Sequence, residues 1–462
     1  MNNLEIKTKK MTTRREFLGK LGAGSLLVGN AFRPGMGLAK TIKSPDKDRY
    51  RSVSINTHEW FGDIEERLDF PKEWDVNMHH MAGYKSPVLS GKDIRNRINS
   101  PISSKPLREI AAGKKTAVIL FDDITRATPV NEIAPVVVEE LKSGGIKDEN
   151  ILFVCIVGSH RAATSQEIRA KLGDFIVDKY TWINHNCFDN FVELGKTSHG
   201  NRVKVNYYVM QADVRVSISG IKKHGGAGYS GGAKAILPGV ASLDTIGYNH
   251  SHLRGGLGKI YHNDLRSDME DTARLAGLDF TIQVLINGKR QVIGVYTGDV
   301  VEAFRQAVHD ANKRYRTEIA QNADVVIANG YPRNVQETGF EWARRSMREG
   351  GTAIFVAQMP LGHFTIHYHN ERASWNGESF WEKQASQSIT GRDPLKKAGQ
   401  LIIFSQYFQH RDMIRYPEGR VHIVKKWEDA LTLLEKAHGP STSVAVYPYI
   451  GVQHEPITLD SP

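Results

Sequence analysis

The sequence predicts an α/β fold with mostly parallel sheets, and two patterns carry this prediction. Continuous apolar runs of strand length, such as TAVILF at 116–121 and ILFVCIV at 151–157, are bounded by polar residues. Strands that are apolar at every position are typical of parallel sheets, which are covered on both faces. Each run is followed by a polar loop and then by helical spacing of apolar residues, at 131–141 and 164–172. This alternation of strand and helix indicates α/β architecture.

A second series of strands and helices begins at Asp324, with apolar runs at 352–357, 401–404 and 444–447. A chain of 462 residues is also too long for one ordinary core, so we expect more than one domain. We predict two α/β domains with the active site in the cleft between them, the last segment packing back on the first domain. The predicted boundaries are a signal peptide over 1–39, a linker over 40–51, an N-terminal cofactor-binding catalytic domain over 52–316 and a C-terminal domain over 317–462.

The first forty residues have the features of an export signal. Arg14 and Arg15 precede a modest apolar run, and small residues follow up to Ala39. This pattern is typical of a twin-arginine signal, whose partner is the twin-arginine export machinery and whose destination is the periplasm. That route carries folded proteins, typically with a cofactor already inserted. The apolar run is short and rich in glycine, so we expect no stable membrane anchor; the alternative is a disordered basic tail.

Composition narrows the class of ligand. The formal net charge is +10, which favours anionic ligands or serves solubility. Because no block of Lys and Arg is interleaved with aromatic residues, we expect no nucleic acid partner. The two cysteines, Cys155 and Cys187, form neither a disulfide framework nor a thiolate metal cluster.

The most unusual stretch is residues 218–250, ISGIKKHGGAGYSGGAKAILPGVASLDTIGYNH. Lys234 lies shortly after Gly231 and Gly232, with His224 before them and His250 after. Glycine at this density is unfavourable for folding, and it is tolerated where the backbone turns sharply or approaches a ligand. The stretch therefore indicates a site at which the backbone, one amine and two imidazoles meet a bound molecule.

This stretch is not a nucleoside triphosphate loop. Such a loop needs Gly-Lys followed by Ser or Thr, whereas Ala233 precedes Lys234 and Ala235 follows it. The remaining interpretations are a surface lysine after a flexible turn or a lysine that holds a cofactor covalently. A desolvated amine loses its proton easily and becomes nucleophilic, which suits the second interpretation.

Two further loops follow predicted parallel strands, at the edge where α/β proteins bind ligands. The first, DDITRATP, contains Arg126, whose planar guanidinium matches a carboxylate or phosphate; the alternative is an ordinary polar loop. The second, GSHR, contains His160. With His224 and His250 it makes three loop histidines, which could act as acids and bases or as ligands of nickel, zinc or copper.

At these residues the chain resembles the nickel-dependent lactate racemase family. The matching motifs are DDITRATP, GSHR, Asn184-His185 and the glycine-rich stretch, and the resemblance runs from about Ser52 to the C-terminus. It implies a nickel pincer nucleotide (pyridinium-3-thioamide-5-thiocarboxylic acid mononucleotide) bound covalently to Lys234, with His250 as a nickel ligand. It also implies cofactor-synthesis proteins as partners.

The resemblance further implies a racemase or epimerase of a 2-hydroxy acid. Hydride would leave Cα for the cofactor, His160 and His224 would serve as acid and base, and Arg126 would bind the substrate carboxylate. Other residues are assigned to cofactor binding: Asp122, Thr125, Ser230, Gly231 and Gly232.

The chain departs from the family in the segment NGYPRNVQETGFEWARRS. Lactate-specific members carry a tyrosine there and, four residues on, a lysine that helps to hold the substrate. Thr338 and Trp342 occupy those positions, and we expect both to contact the substrate. Neither supplies the cation, so we predict a substrate larger than lactate, either an aromatic or a polyhydroxy acid.

Two other functions remain open from the sequence. One is a zinc hydrolase that uses His160, His224 and His250, although it leaves Lys234 and its glycines without a role. The other is a periplasmic protein that binds hydroxy acids without a cofactor.

Overall fold

The computed structural model describes residues 49–332, 339–360, 396–408 and 421–462. Asp48–Pro462 forms one compact unit. The predicted signal peptide lies outside the described residues. The predicted linker was too long, because the first strand already begins at Tyr50.

The described residues contain eighteen strands and eleven α-helices. In chain order the strands are β1 (Tyr50–Thr57), β2 (Ile64–Pro71), β3 (Asp75–Met78), β4 (Ala117–Phe121), β5 (Ile151–Cys155), β6 (Thr181–Asn184), β7 (Phe191–Lys196), β8 (Arg202–Asn206), β9 (Val214–Gly220), β10 (Lys223–His224), β11 (Gly228–Tyr229), β12 (Phe280–Ile286), β13 (Val292–Gly298), β14 (Ala323–Asn329), β15 (Met347–Val356), β16 (Gln400–Phe404), β17 (Val421–Val424) and β18 (Ser443–Tyr447). The helices are α1 (Gly91–Ile98), α2 (Leu107–Ala111), α3 (Val130–Ser143), α4 (Ser165–Leu172), α5 (Asp174–Lys179), α6 (Tyr207–Met210), α7 (Leu243–His252), α8 (Asp264–Ala276), α9 (Glu302–Arg314), α10 (Gly339–Ser346) and α11 (Trp427–Ala437).

The first six-stranded sheet has the order β13-β12-β9-β4-β5-β6. Its strands are parallel except at β12–β13, which pair antiparallel. All five residues of β4 are buried, because helices cover both faces of the sheet. The parallel neighbours β9, β4 and β5 end at the same edge, so the three loops that follow them emerge side by side.

The second six-stranded sheet has the order β17-β16-β15-β14-β18-β3 and is parallel throughout. The predicted α/β class with mostly parallel sheets is therefore confirmed. Its last strand, β3, comes from a part of the chain that we assigned to the N-terminal domain. Phe70 and Trp74, near the β1–β2 hairpin, also pack in the core of this sheet.

The predicted domain boundaries thus differ from the observed chain path at its start. β3 pairs with the second sheet, and the separate β1–β2 hairpin packs against its core, although the first sheet follows them in sequence. The physical reason is long-range pairing: β3 bonds to β18, from the far end of the chain, and no local pattern encodes that partner.

The C-terminal residues pack against the part of the chain that carries the first sheet. The Asp460 carboxylate accepts hydrogen bonds from the backbone N–H groups of Ile260, at 2.7 Å, and His262, at 2.8 Å. Asn312 donates to the carbonyl of Ile457 at 3.0 Å. These contacts join residues 457–460 to residues 260–262 and 312.

Among the residues that the structure describes, we find no helix with the length and apolar character needed to span a bilayer.

Candidate active site

One cavity at the carboxyl edge of the first sheet contains most of the residues singled out from the sequence. It encloses about 710 Å³, part of which is open to solvent. The predicted site residues in its wall are Asp122, Arg126, His160, His224, Ser230, Gly231, Lys234 and His250. Three loops and one helix, separated by up to 128 positions (250 − 122), thus meet at one place.

Lys234 lies in a short 3-10 turn, Gly232–Ala235, which follows Gly231. Gly231 has φ +94°, and a Cβ there would collide with the side chains of Gln283 and Ile221, so the turn requires glycine. The Lys234 side chain is almost fully buried. Burial, helped by the charges of Arg266 and Arg126, holds the pKa of its amine well below the usual range. Lowering the pKa of an amine makes its neutral, nucleophilic form easier to reach.

Arg266, a fully buried residue of α8, holds the loop that precedes Lys234. Its guanidinium donates to the carbonyl of Ala227 through two nitrogens, at 3.2 and 3.1 Å, to Gly231 at 3.0 Å, and to Tyr229. The same group adds a positive field that lowers the pKa of Lys234. Arg266 therefore shapes the loop and acts on its amine.

His160 is paired with a carboxylate. Its Nδ1 lies 2.7 Å from Oδ2 of Asp123, which in turn accepts hydrogen bonds from the backbone and hydroxyl of Thr125. Burial alone raises the pKa of Asp123, but His160, Arg126 and Thr125 outweigh it and hold that pKa well below its usual range. An ionised Asp123 keeps the proton of neutral His160 on Nδ1, so Nε2 carries the lone pair.

The hydrogen bonds at Nδ1 of His224 are opposite in direction to those of His160. Its Nδ1 accepts hydrogen bonds from the backbone N–H groups of Gly226, at 3.2 Å, and Ala227, at 3.0 Å. The neutral ring must therefore carry its proton on Nε2. The charge of Lys234, then burial and Arg126, hold the pKa of His224 well below its usual range.

His250 lies in the last turn of α7 and forms part of the cavity wall. Its Nδ1 donates to the carbonyl of Ile246 at 3.0 Å, which leaves the lone pair on Nε2, as a metal ligand requires. The neighbouring Asn249 is buried and donates to Asp268 at 2.8 Å and to the carbonyl of Leu265 at 3.1 Å. Asn249 thus fixes the rotation of the helix that presents His250.

Arg126 is oriented by Thr125, whose hydroxyl accepts from its guanidinium at 2.7 Å. Lys171, a fully buried residue of α4, contacts this loop. Its amine is 2.7 Å from both the Asp122 carboxylate and the Arg126 carbonyl. Asp122 also accepts from Thr128 and from the backbone N–H of Gly220, so it ties two of the three loops together.

Three predicted site residues do not line this cavity, and a fourth falls in a part of the chain that the structure does not describe. Thr125 is buried behind the cavity, between Asp123 and Arg126. Gly232 donates its N–H to Gln283 at 2.9 Å and contributes through the backbone turn. Thr338 lies outside the described residues. Trp342 is buried in the core of the second sheet, with its ring 4.4 Å from that of Tyr447, because an indole on the apolar face of α10 packs inward.

The sequence analysis did not identify Lys171, Arg266 or the pairing of Asp123 with His160. A signal existed for the first two, since each is a charged residue on the apolar face of its helix. Lys171 follows Ile168 by three positions, and Arg266 precedes Met269 by three. No local signal relates Asp123 to His160, which are 37 residues apart.

Comparison with known proteins identifies relatives of the chain. The model of the lactate racemase N-terminal domain matches residues 61–257. The lactate racemase of Lactiplantibacillus plantarum is 32% identical over 295 residues, which cover 61% of this chain and 69% of that enzyme. The lactate racemase of Thermoanaerobacterium thermosaccharolyticum is 30% identical over 296 residues, with the same coverage.

The fold has known relatives too. The structure of the lactate racemase apoprotein from T. thermosaccharolyticum matches with a TM-score of 0.64 at 22% identity, covering 87% of this chain and 99% of that one. A Thermotoga maritima protein matches with a TM-score of 0.53 at 15% identity, covering 78% of this chain and 97% of that one.

The α/β fold and these relatives define the chain as an isomerase. More particularly, it belongs to the lactate racemase family, whose membership supports racemase or epimerase activity. Enzymes of this family use a nickel pincer nucleotide.

Proposed function

We propose that the chain racemises or epimerises a 2-hydroxy acid larger than lactate, with a nickel pincer nucleotide tethered to Lys234. One observation carries the proposal: a single cavity presents Lys234, His250, His160, His224 and Arg126 together. A nucleophilic amine, a histidine with a metal-binding lone pair, two other imidazoles and a guanidinium are the groups this reaction needs.

The residues fit the cofactor. The amine of Lys234 is buried and its lowered pKa suits covalent attachment, while His250 presents Nε2 as a nickel ligand. Ser230 and Gly231 line the same cavity and would contact the nucleotide. When bound, the cofactor supplies an acceptor for hydride from Cα.

The chain's own residues handle the carboxylate and the proton. Arg126 binds the substrate carboxylate with its planar guanidinium. His160 takes the hydroxyl proton on Nε2 as hydride leaves Cα, and Asp123 stabilises the imidazolium that results. The product at this stage is a planar 2-keto acid. Return of the proton from His160 to the substrate oxygen would accompany inversion of the centre, and the Nε2–H of His224 would donate a hydrogen bond to that oxygen.

The proposal of a larger substrate rests on a lysine that lactate-specific members carry and that this chain lacks. The family position that holds a lysine in lactate-specific members is Trp342 here, and its ring packs on Tyr447 in the core. The helix therefore offers no cation at that position to grip a small substrate. Larger acids bind through more distant groups instead.

The geometry argues against the zinc hydrolase. Within the described ranges, no group of three or more His, Cys, Asp or Glu side chains is arranged to hold a metal ion. A site made of His160, His224 and His250 is thus not formed, and Nδ1 of His224 is already occupied by two backbone N–H groups.

The test is intact mass, metal content and turnover of protein made in cells that synthesise the cofactor. We expect an adduct of mononucleotide size, one nickel ion, and loss of optical activity from at least one 2-hydroxy acid. Lys234→Ala should lack all three. Zinc without an adduct would support a hydrolase, and neither metal nor adduct would support a cofactor-free binding protein.

We further propose that the folded, loaded enzyme is exported by the twin-arginine machinery after the cofactor-synthesis proteins have acted. The twin arginines at positions 14 and 15 support this. Cell fractionation tests it: the periplasmic form should carry the adduct mass, and replacing both arginines with lysine should retain loaded protein in the cytoplasm. A periplasmic form that never carries the adduct would overturn the proposal.

A further inference from the structure

A second cavity lies at the carboxyl edge of the second sheet, and its volume of about 240 Å³ includes space open to solvent. Its wall includes residues that follow β14 and β15, together with Glu59 from the loop after β1. Two of its buried side chains have polar atoms without hydrogen-bond partners among the described residues. The atoms without partners are the two carboxyl oxygens of Glu59 and the amide nitrogen Nε2 of Gln358.

Such groups are unfavourable when buried alone, because each loses its bonds to water and gains none in return. Glu59 is 2% exposed and Gln358 is 5% exposed. The orientation of Gln358 is fixed, since its Oε1 accepts from the backbone N–H of Gln406 at 2.9 Å. Its Nε2 is therefore a hydrogen-bond donor without an acceptor among the described residues.

Glu59 is held in place by a constrained loop. His58, Trp60 and Asp63 all have positive φ, of 59°, 67° and 46°, a conformation that non-glycine residues adopt only when their surroundings enforce it. Trp60 donates to the carbonyl of Ile124 at 3.0 Å, two residues before Arg126. Asp63 accepts from Tyr331 at 2.8 Å, next to the end of β14. The loop thus spans the edges of both sheets.

The charge state of Glu59 suits a neutral partner. Burial raises its pKa to about 8, against the opposing charges of Arg290, Lys171 and Lys222, with Asp63 adding to the rise. The carboxyl is therefore mostly protonated at neutral pH, with one O–H donor and one carbonyl acceptor. A hydroxyl group, which both donates and accepts, matches this pair and the Gln358 amide.

Residues that are shared or adjacent in the chain line this cavity, the next one and the active-site cavity. Arg126 lines both the active-site cavity and an intervening one, whose wall includes Pro332. The adjacent Tyr331 lines the cavity of Glu59. We propose that Glu59 and Gln358 form a subsite for the distal hydroxyl groups of a polyhydroxy 2-hydroxy acid. This inference rests on the proposed function and selects the polyhydroxy over the aromatic substrate.

The first test measures binding and is independent of the cofactor. In the Lys234→Ala protein, which cannot be loaded, we expect gluconate to raise the melting temperature more than lactate or phenyllactate does. Adding Glu59→Leu or Gln358→Leu should remove the gluconate shift, whereas Glu59→Gln, which still donates and accepts, should retain part of it. Removing an unpartnered buried carboxyl does not weaken the fold, so Glu59→Leu is expected to fold.

The second test uses the loaded enzyme. Glu59→Leu should reduce kcat/KM for gluconate at least about tenfold more than for lactate, as expected for the loss of hydrogen bonds to a substrate hydroxyl. Glu65→Leu, at an exposed position on β2 of the same hairpin, is the matched control and should not change the ratio.

The outcomes separate the two proposals. Equal gluconate shifts in all variants, or equal losses for all acids, would overturn the subsite and show that the cavity holds only water. No turnover of any 2-hydroxy acid by loaded wild-type enzyme would overturn the proposed function, even if the Glu59-dependent gluconate shift remained.

Discussion

His160 and His224 lie in the same cavity, yet their surroundings give them opposite protonation patterns. A carboxylate holds the Nδ1 proton of His160, whereas two backbone N–H groups occupy Nδ1 of His224. One ring therefore presents a lone pair on Nε2 and the other presents a proton. The comparison teaches that two imidazoles in one cavity need not be interchangeable, and it leads us to predict that one is the base and the other a hydrogen-bond donor.

The largest expected effect comes from replacing the two rings in turn. His160→Gln removes the proton acceptor and should lower kcat on the order of 10²–10⁴-fold, the usual contribution of a general base. His224→Gln retains an N–H donor and should lower kcat only about tenfold. The measurement is steady-state turnover of fully nickel-loaded protein. Equal losses in the two variants would show that the rings are equivalent.

A similar loss should follow from Asp123→Asn, which leaves His160 in place. An asparagine amide can donate to Nδ1, so the ring would move its proton to Nε2 and cease to be a base. We expect kcat to fall on the order of 10²–10⁴-fold with little change in KM. Thr125→Val is the control: it removes one hydrogen bond to Asp123 and one from Arg126 but leaves the carboxylate in place, so kcat should fall much less. If Asp123→Asn retained full turnover, the carboxylate would have no part in setting the proton.

The third prediction concerns the charge next to His224 and is read by spectroscopy. Lys234 is the largest cause of the lowered pKa of His224, so Lys234→Met should raise that pKa toward its usual value. Histidine NMR titration of the unloaded protein measures it. Lys223→Met is the control, because Lys223 pairs with Glu455 at 2.6 Å and is not a cause of the shift. An unchanged titration in Lys234→Met would contradict the prediction.

The smallest effect on turnover should come from Arg266→Lys, which keeps the positive charge but loses some of the hydrogen bonds to the loop between His224 and Lys234. Lysine cannot reach the carbonyls of Ala227, Tyr229 and Gly231 together, so some of them lose their partner. We expect the free energy of unfolding to fall by about 1–3 kcal/mol, as measured by urea denaturation. Arg274→Lys, exposed on the same helix, should leave stability unchanged. If the Arg266→Lys protein were as stable as the wild type, the loop conformation would not depend on the hydrogen bonds of Arg266.

Much of the first sheet could be predicted from sequence, because its signals are local. The run TAVILF is buried on both faces, and β4 occupies five of its six positions. Lys234 and His224 lie in one glycine-rich stretch, and the residues after β4 and β5 meet them because parallel neighbours end at one edge.

The features that escaped prediction depend on partners far away in the chain. The pairing of β3 with β18 cannot be found in any short window. Trp342 was placed at the substrate by its position in a motif, but the packing of its ring on Tyr447, more than a hundred residues later, decides where it lies. No local pattern marks Glu59 as buried, because its burial depends on the edges of both sheets.

The return of the C-terminal residues has a consequence for the timing of biosynthesis. Asp460 fastens the segment 260–262, and that segment immediately precedes α8, which carries Arg266. The segment next to Arg266, which holds the loop of Lys234, is therefore not fastened until the ribosome has added residues 457–460. Under the proposed function, attachment of the cofactor to Lys234 would therefore follow translation, once the C-terminal residues have packed.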